Sequence, residues 1–420
     1  MLFDLLLFTL GAVCGSFANW AIYQLGYFRT RSISPLGPLD PQASPRHWTD
    51  RIPIVGWWFL RRDVALHGRG FWLRPLLIEL AMAAGFVWLY RWQHAGGLMG
   101  GRVAPANWDA EFWFAGHMLL IWLLTVATFI DFDEKTIPDW ITVPGVLAGL
   151  TIHVMAAGFR LPEVIPELGG MNYRSVTFAS PGEIGEQIWH RDWRGLVAAV
   201  GIIAVWIYAL APKTIYWQRG WIFGLRIQWA SIFRCGRRFQ SASSLPPRRM
   251  FGVTRTLLGL GVVLVLGTLA TGAIGGAIWD SYLGSLLGLA YTGGLVWAVR
   301  LAASWAMQQE AMGFGDVTLA AMIGSFVGWQ AGLLVFAAAP FAALVIAIIQ
   351  FTLTRNREIA FGPYLALATV IVVIGWYGAW EWARISVFSL GIWLHVILAA
   401  CLVALAAMLL GVRLSRGVST

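Results

Sequence analysis

Long apolar runs, separated by short charged or glycine- and proline-rich stretches, set the pattern of this chain. A helix needs roughly 20 residues to cross a bilayer. Runs of that order fall near 2–25, 71–90, 112–130, 140–158, 195–211, 252–278, 281–300, 317–350, 360–380 and 388–411. The run 317–350 is too long for one span. Its stretches GWQAG and AAAPF offer breaks, so two helices are expected there. The pattern predicts an all-α, polytopic integral membrane protein with about eleven transmembrane helices. Four parts are expected: 1–158, with the first long loop; 159–279, with two spans and a basic loop; 280–380; and 381–420, an extra span with a basic tail.

Composition agrees with this pattern. Of 420 residues 58% are hydrophobic and 12% charged, and the mean hydropathy is +0.68. Soluble domains carry about 25% charged residues. The N-terminal run has no preceding positive region and is too long for a typical signal peptide, so it is read as a first span that is kept. Cys14, Cys235 and Cys401 lie far apart and make no disulfide or metal-ligand spacing.

Charge then gives an orientation. Segment 29–74 carries eight Arg against three Asp, and 212–250 carries seven Arg and one Lys with no acid. Segment 159–194 carries four Arg against five acids, and the tail is basic again. Basic loops stay cytoplasmic, so 29–74, 212–250 and the C-terminus are expected inside, and 159–194 and the N-terminus outside. The stretch IYWQRGWIFGLRIQWASIFRCGRR reads as an ordinary positive-inside loop rather than an interfacial amphipathic helix. No nucleic-acid partner is needed to explain the charge; the bilayer suffices.

Threading the chain in this way brings Asp131 and Asp316 to the same face at similar depth, although 185 positions separate them. Each acid closes or opens a strongly apolar run. Asp316 follows the pair Gly313 and Gly315, and glycine allows a backbone approach that a β-carbon would block. Asp139 after Pro138 is placed to help start the helix over 140–158. Intramembrane acids also mark ion pathways, so an ion- or proton-coupled transporter is the alternative to a carboxylate-pair enzyme. That alternative predicts internal repeats, and the sequence shows none.

Five stretches carry a resemblance. GFGDVTLAAMIGSFVGW resembles the Gly-x-Gly-Asp motif of the type IV prepilin peptidases, which are membrane aspartic endopeptidases. IDFDEKTIPDWITVPG is similar to that family's other aspartate motif, with Asp131, Pro138 and Asp139 in the matching positions. GSFANWAIYQL, RIPIVGWWFLRRDVALHGRGFWLRPLLIEL and IAFGPYLALA resemble its N-terminal, loop and Phe-Gly-Pro motifs, all in family order. The resemblance implies Asp131 and Asp316 as the catalytic pair, with Gly313, Gly315, Pro138 and Asp139 in support. It implies prepilin or pseudopilin substrates, a bacterial inner membrane and a cytoplasm-facing site. It also implies that the peptidase step needs no cofactor. Many members additionally N-methylate the new terminus with S-adenosylmethionine.

The chain departs from the family pattern in two ways. The family's first loop often carries two Cys-x-x-Cys pairs that bind zinc, whereas this loop has no cysteine and offers only His47 and His67. No metal is expected, and methyl transfer is set apart from the peptidase expectation. The aspartates are also much further apart in sequence than usual, with 159–279 read as an insertion. An even number of spans in that insertion keeps both acids on one side.

Overall fold

The computed structural model describes residues 1–26, 33–37, 41–167, 170–181, 193–211, 247–354 and 361–417. It is a helical bundle built from α1 (Leu2–Leu25), α2 (Leu73–His94), α3 (Asn107–Glu134), α4 (Asp139–Met155), α5 (Trp193–Leu210), α6 (Pro247–Ile274), α7 (Gly276–Met307), α8 (Phe314–Thr354), α9 (Gly362–Ile374), α10 (Trp376–Ser386) and α11 (Ile392–Gly417). Each apolar run became a helix because backbone groups in hydrocarbon must bond within their own segment. Among the described residues eight helices are long and apolar enough to cross a bilayer, nine if one bent pair is a single span. Asp139–Met155 is a shorter apolar helix. The all-α polytopic expectation therefore holds. The basic stretch 212–246 and Cys235 lie outside the described residues.

The long run 317–350 does break within GWQAG. The backbone of α8 leaves helical geometry at Gly328, at φ 79° and ψ 174°. A β-carbon at Gly324 would stand 2.6 Å from the Thr292 hydroxyl, and one at Gly332 would collide with that same hydroxyl. Eight residues of straight helix span about 12 Å, so the chain doubles back at Gly328. Both limbs pack on α7, where Ser285 Oγ donates to the Ser325 carbonyl at 2.6 Å. With the two limbs and α4 counted separately, the bundle approaches the eleven spans expected.

Two elements differ from the expected pattern. The apolar run 360–380 is not one straight span: α9 and the segment Trp376–Leu390 meet at 90°. Residues Pro162–Glu167 (β1) and Gly170–Ser175 (β2) form an antiparallel hairpin where only an outer loop was expected. The two departures explain one another. Trp376 Nε1 donates to the Pro162 carbonyl at 2.7 Å, and Trp380 Nε1 donates to Glu163 Oε2 at 3.1 Å. Indole N–H groups need partners when buried, and the hairpin supplies them by holding α10 across the end of the bundle.

The loop between α1 and α2 folds on ion pairs. Arg62 grips Asp50 with a two-pronged fork, and Arg46 Nη1 donates to Asp63 Oδ2 at 2.8 Å. Burial opposes the Asp50 charge, yet Arg62 and the His47 N–H outweigh it and hold this carboxyl below its ordinary value. Arg61 lies between the Trp58 and Trp72 rings, 3.8 and 3.9 Å from their centroids. The loop is then anchored to the bundle through buried Glu79 on α2. Glu79 accepts from Ser16 Oγ at 2.6 Å, from Asn19 Nδ2 at 3.2 Å and from the Ile54 N–H. Ile54 is β-branched with φ 68°, a conformation that branched residues rarely adopt. Gly15 lets α1 approach, since a β-carbon there would stand 2.6 Å from Glu79 Cα. The Gly-Ser-Phe-x-Asn stretch thus works as a receptor for the Glu79 carboxylate.

Candidate active site

Asp131 lies in the last turn of α3. The helix stops at Lys135, which turns left-handed at φ 56° and donates its N–H to the Asp131 carbonyl at 2.9 Å. Asp131 is buried, only 5% exposed. Burial of a carboxylate demands donors, and one comes from the far end of the chain: the Gly362 N–H donates to Asp131 Oδ2 at 3.0 Å. Gly362 opens α9, with Pro363 in the same turn.

Asp316 lies in the first turn of α8, where the open N–H groups favour an acid. It is half-buried. Both acids border Ile137: Gly362, the donor to Asp131, would put a β-carbon 3.0 Å from Ile137 Cδ1, and Gly315, next to Asp316, packs on the same residue. Ile137 is the buttress between their helices. A β-carbon at Gly315 would stand 2.9 Å from Ile137 Cβ and 3.1 Å from its carbonyl oxygen, so Gly315 allows α8 to start against the turn that leads into α4. Gly313 differs: a β-carbon there meets nothing nearer than Asp316 Oδ2 at 3.8 Å, an ordinary contact. Pro138 is the buried cap residue of α4. Asp139 is exposed at the first helical position and makes no capping hydrogen bond. It can help start α4 only through its charge at the helix end.

Two residues beyond the expected set shape the site. Gly362 belongs to the Phe-Gly-Pro stretch, which was the available signal. Arg300 on α7 gave no signal in sequence. Its Nε donates to the Met312 carbonyl at 2.9 Å and its Nη2 to Glu310 at 2.6 Å, fixing the turn that delivers Gly313 to Asp316. On the opposite rim Arg74 forks onto Asp133 at 2.7 and 2.8 Å. The folded loop, Arg74 and the last turn of α11, where Arg413 reaches the Ala306 carbonyl, all lie at the carboxylate end. The hairpin and Asp4, paired with Arg91, lie at the other.

Among the described residues, two of the cavities lie within the bundle. One, of about 20 Å³, is beside His153 and Gln330 near the hairpin. The other, of about 190 Å³, is lined by α2, α3 and α9 and is almost wholly apolar. Among the described residues no three His, Cys, Asp or Glu side chains gather as metal ligands.

A family model described as the type IV leader peptidase family matches residues 118–185, which contain Asp131, Pro138 and Asp139. The chain is similar to a prepilin leader peptidase/N-methyltransferase of Myxococcus xanthus, 25% identical over 259 residues, or 58% of this chain and 69% of that protein. It is similar to one of Klebsiella pneumoniae, 31% identical over 164 residues, or 38% of this chain and 65% of that protein. A third, of Aeromonas salmonicida, is 32% identical over 117 residues, 26% of this chain and 38% of that protein. The chain therefore spans 69% of the first relative and less than two thirds of the other two. No solved structure matches.

Proposed function

We propose, from the match of residues 118–185 to the type IV leader peptidase family and the similarity to prepilin leader peptidases, that the chain is a membrane aspartic endopeptidase that removes leader peptides from prepilin- or pseudopilin-like substrates, with Asp131 and Asp316 as its catalytic pair. What supports this reading is the packing around Ile137, where Gly362, the donor to Asp131, and Gly315, next to Asp316, meet from helices far apart in sequence. The basic loop 41–72 and Arg413 share that end, and the positive-inside rule assigns it to the cytoplasm. The leader would be cut at the cytoplasmic membrane face of a bacterial inner membrane.

The chemistry follows from the pair. One carboxylate, ionised, takes a proton from water as the water oxygen bonds to the scissile carbonyl carbon. The other, protonated, donates to the carbonyl oxygen. Collapse of the tetrahedral intermediate breaks the C–N bond, and the departing nitrogen collects a proton. Two neighbouring carboxylates share one proton and titrate as a unit. Gly362 fixes one lone pair of Asp131, leaving the rest of the carboxylate for water. Partial burial strengthens each of these interactions relative to water.

The relatives' names also pair peptidase with N-methyltransferase. S-adenosylmethionine is the methyl donor such an activity would use. Neither cavity described above fits it: one is too small, and the other lacks polar groups for an adenine and an amino-acid carboxylate. No step is assigned to it.

In vitro processing of a pilin-like precursor from the same cell tests the reading. The wild-type protein should release the leader and Asp316→Ala should not. Absence of cleavage by wild type, or equal cleavage by both, would overturn it.

A further inference from the structure

We propose that the groove walled by α2 and α9 and floored by α3 holds the apolar helix of the substrate, delivering the bond before it to the two aspartates. This rests on the peptidase reading and adds where the substrate's membrane segment sits.

The register of the helices supports it. Asp131 on α3 and Gly362 on α9 are hydrogen-bonded at the mouth. Seven residues from each along its own helix stand Leu124 and Thr369, and both line the 190 Å³ cavity. Seven helical residues span about 10 Å, so the cavity starts that far from the carboxylates. It continues deeper past Leu120 and Val373. A helix lying there would pass its first two turns alongside the upper parts of α3 and α9. Its extended leading end would then arrive at Asp131 and Asp316.

The α2 wall has the form that close helix approach requires. Ala81 and Gly85 line the cavity one turn apart, and small residues at this spacing let helix backbones come together in a bilayer. At Gly15 and Gly288 another helix of the chain already fills the equivalent space. At Gly85 a β-carbon would meet nothing within 4 Å. The polarity of the groove selects its occupant. Its body is apolar, whereas the α3–α9 contact about 10 Å beyond it carries the Asp131 carboxylate. A polar extended segment followed by an apolar helix matches both ends, and a lipid acyl chain matches only the body.

Two substrates separate docking from chemistry: a full precursor with its apolar helix, and a soluble peptide ending a few residues past the scissile bond. Gly85→Leu and Ala81→Trp should each lower kcat/KM for the full precursor about tenfold or more while leaving the short peptide within about twofold. Gly201→Leu, at an equally open glycine on α5 outside the groove, should change neither. Unaltered precursor cleavage by both groove variants, or equal loss on both substrates, would overturn the groove. A binding measurement separates this from the peptidase reading. In Asp316→Asn protein with its three cysteines replaced by serine, Gly85→Cys should cross-link to a cysteine two to three turns into the precursor's helix. Lack of that cross-link overturns the groove whether or not the wild type cleaves. That cross-link, together with a wild type that cleaves nothing, overturns the peptidase reading alone.

Discussion

The Gly362 N–H donates to Asp131 Oδ2 at 3.0 Å, across 231 positions of sequence. The first N–H groups of a helix have no partner inside it, and Pro363 has none to offer. Gly362 is therefore a free donor at the start of α9, and Asp131 takes it. The contact is tight: a β-carbon on Gly362 would stand 2.7 Å from Asp131 Oδ2 and 3.0 Å from Ile137 Cδ1.

Gly362→Ala should accordingly displace the Asp131 carboxylate while α9 itself persists. A misplacement of about 1 Å in a catalytic group can lower the rate about a hundredfold. The measurement is the pH profile of kcat alongside precursor cleavage. A change in the profile accompanies a moved carboxylate, whereas a purely structural defect would lower activity at all pH values alike.

Asp131→Asn and Asp316→Asn should each reduce cleavage about a thousandfold or more, and the double variant little further, because members of a cooperating pair do not add. Membrane insertion, checked by membrane-fraction yield, should be unchanged. Asp139→Asn should retain more activity, since its side chain is exposed and caps nothing.

The folded loop should be acid-sensitive. Asp50 has its pKa lowered relative to an unfolded chain, where it would be about 3.9. A lowered folded value gives stability that is present above the unfolded pKa and lost as pH falls through the folded one. Amide exchange around buried Trp57 and Leu60 should therefore rise below about pH 4. Arg62→Ala should raise it at neutral pH as well. It strands a buried carboxylate, a loss of about 2 kcal/mol that is smaller than for a fully enclosed pair because Arg62 is itself 29% exposed.

Peptidase activity should survive EDTA. A structural zinc site takes four Cys or His ligands, and the loop offers His47 and His67 alone. The forks of Arg62 on Asp50 and Arg46 on Asp63 hold the loop through charge and hydrogen bonds. Stoichiometric zinc in purified protein, with activity lost on its removal and regained on its return, would refute this.

Apolar runs of bilayer length determined the helices from sequence, because a chain in hydrocarbon has few ways to satisfy its backbone. Charge bias in the loops led to the expectation that Asp131 and Asp316 share an end, and the fold brings them together. Even the break at Gly328 was visible, as a run too long for one span and a glycine within it. Other features were settled by residues far apart in sequence. Glu79 looks like a stray acid in an apolar helix until Ser16, Asn19 and the Ile54 N–H converge on it. Gly362 looks like a helix start until its N–H meets Asp131. The bend after α9 depends on two indole N–H groups finding the hairpin at Pro162 and Glu163. The groove beside Gly85 belongs to three helices at once. Hydropathy is a property of each segment and is read locally. Hydrogen-bond partners and empty space are properties of pairs and triples of segments, and tertiary packing alone brings those together.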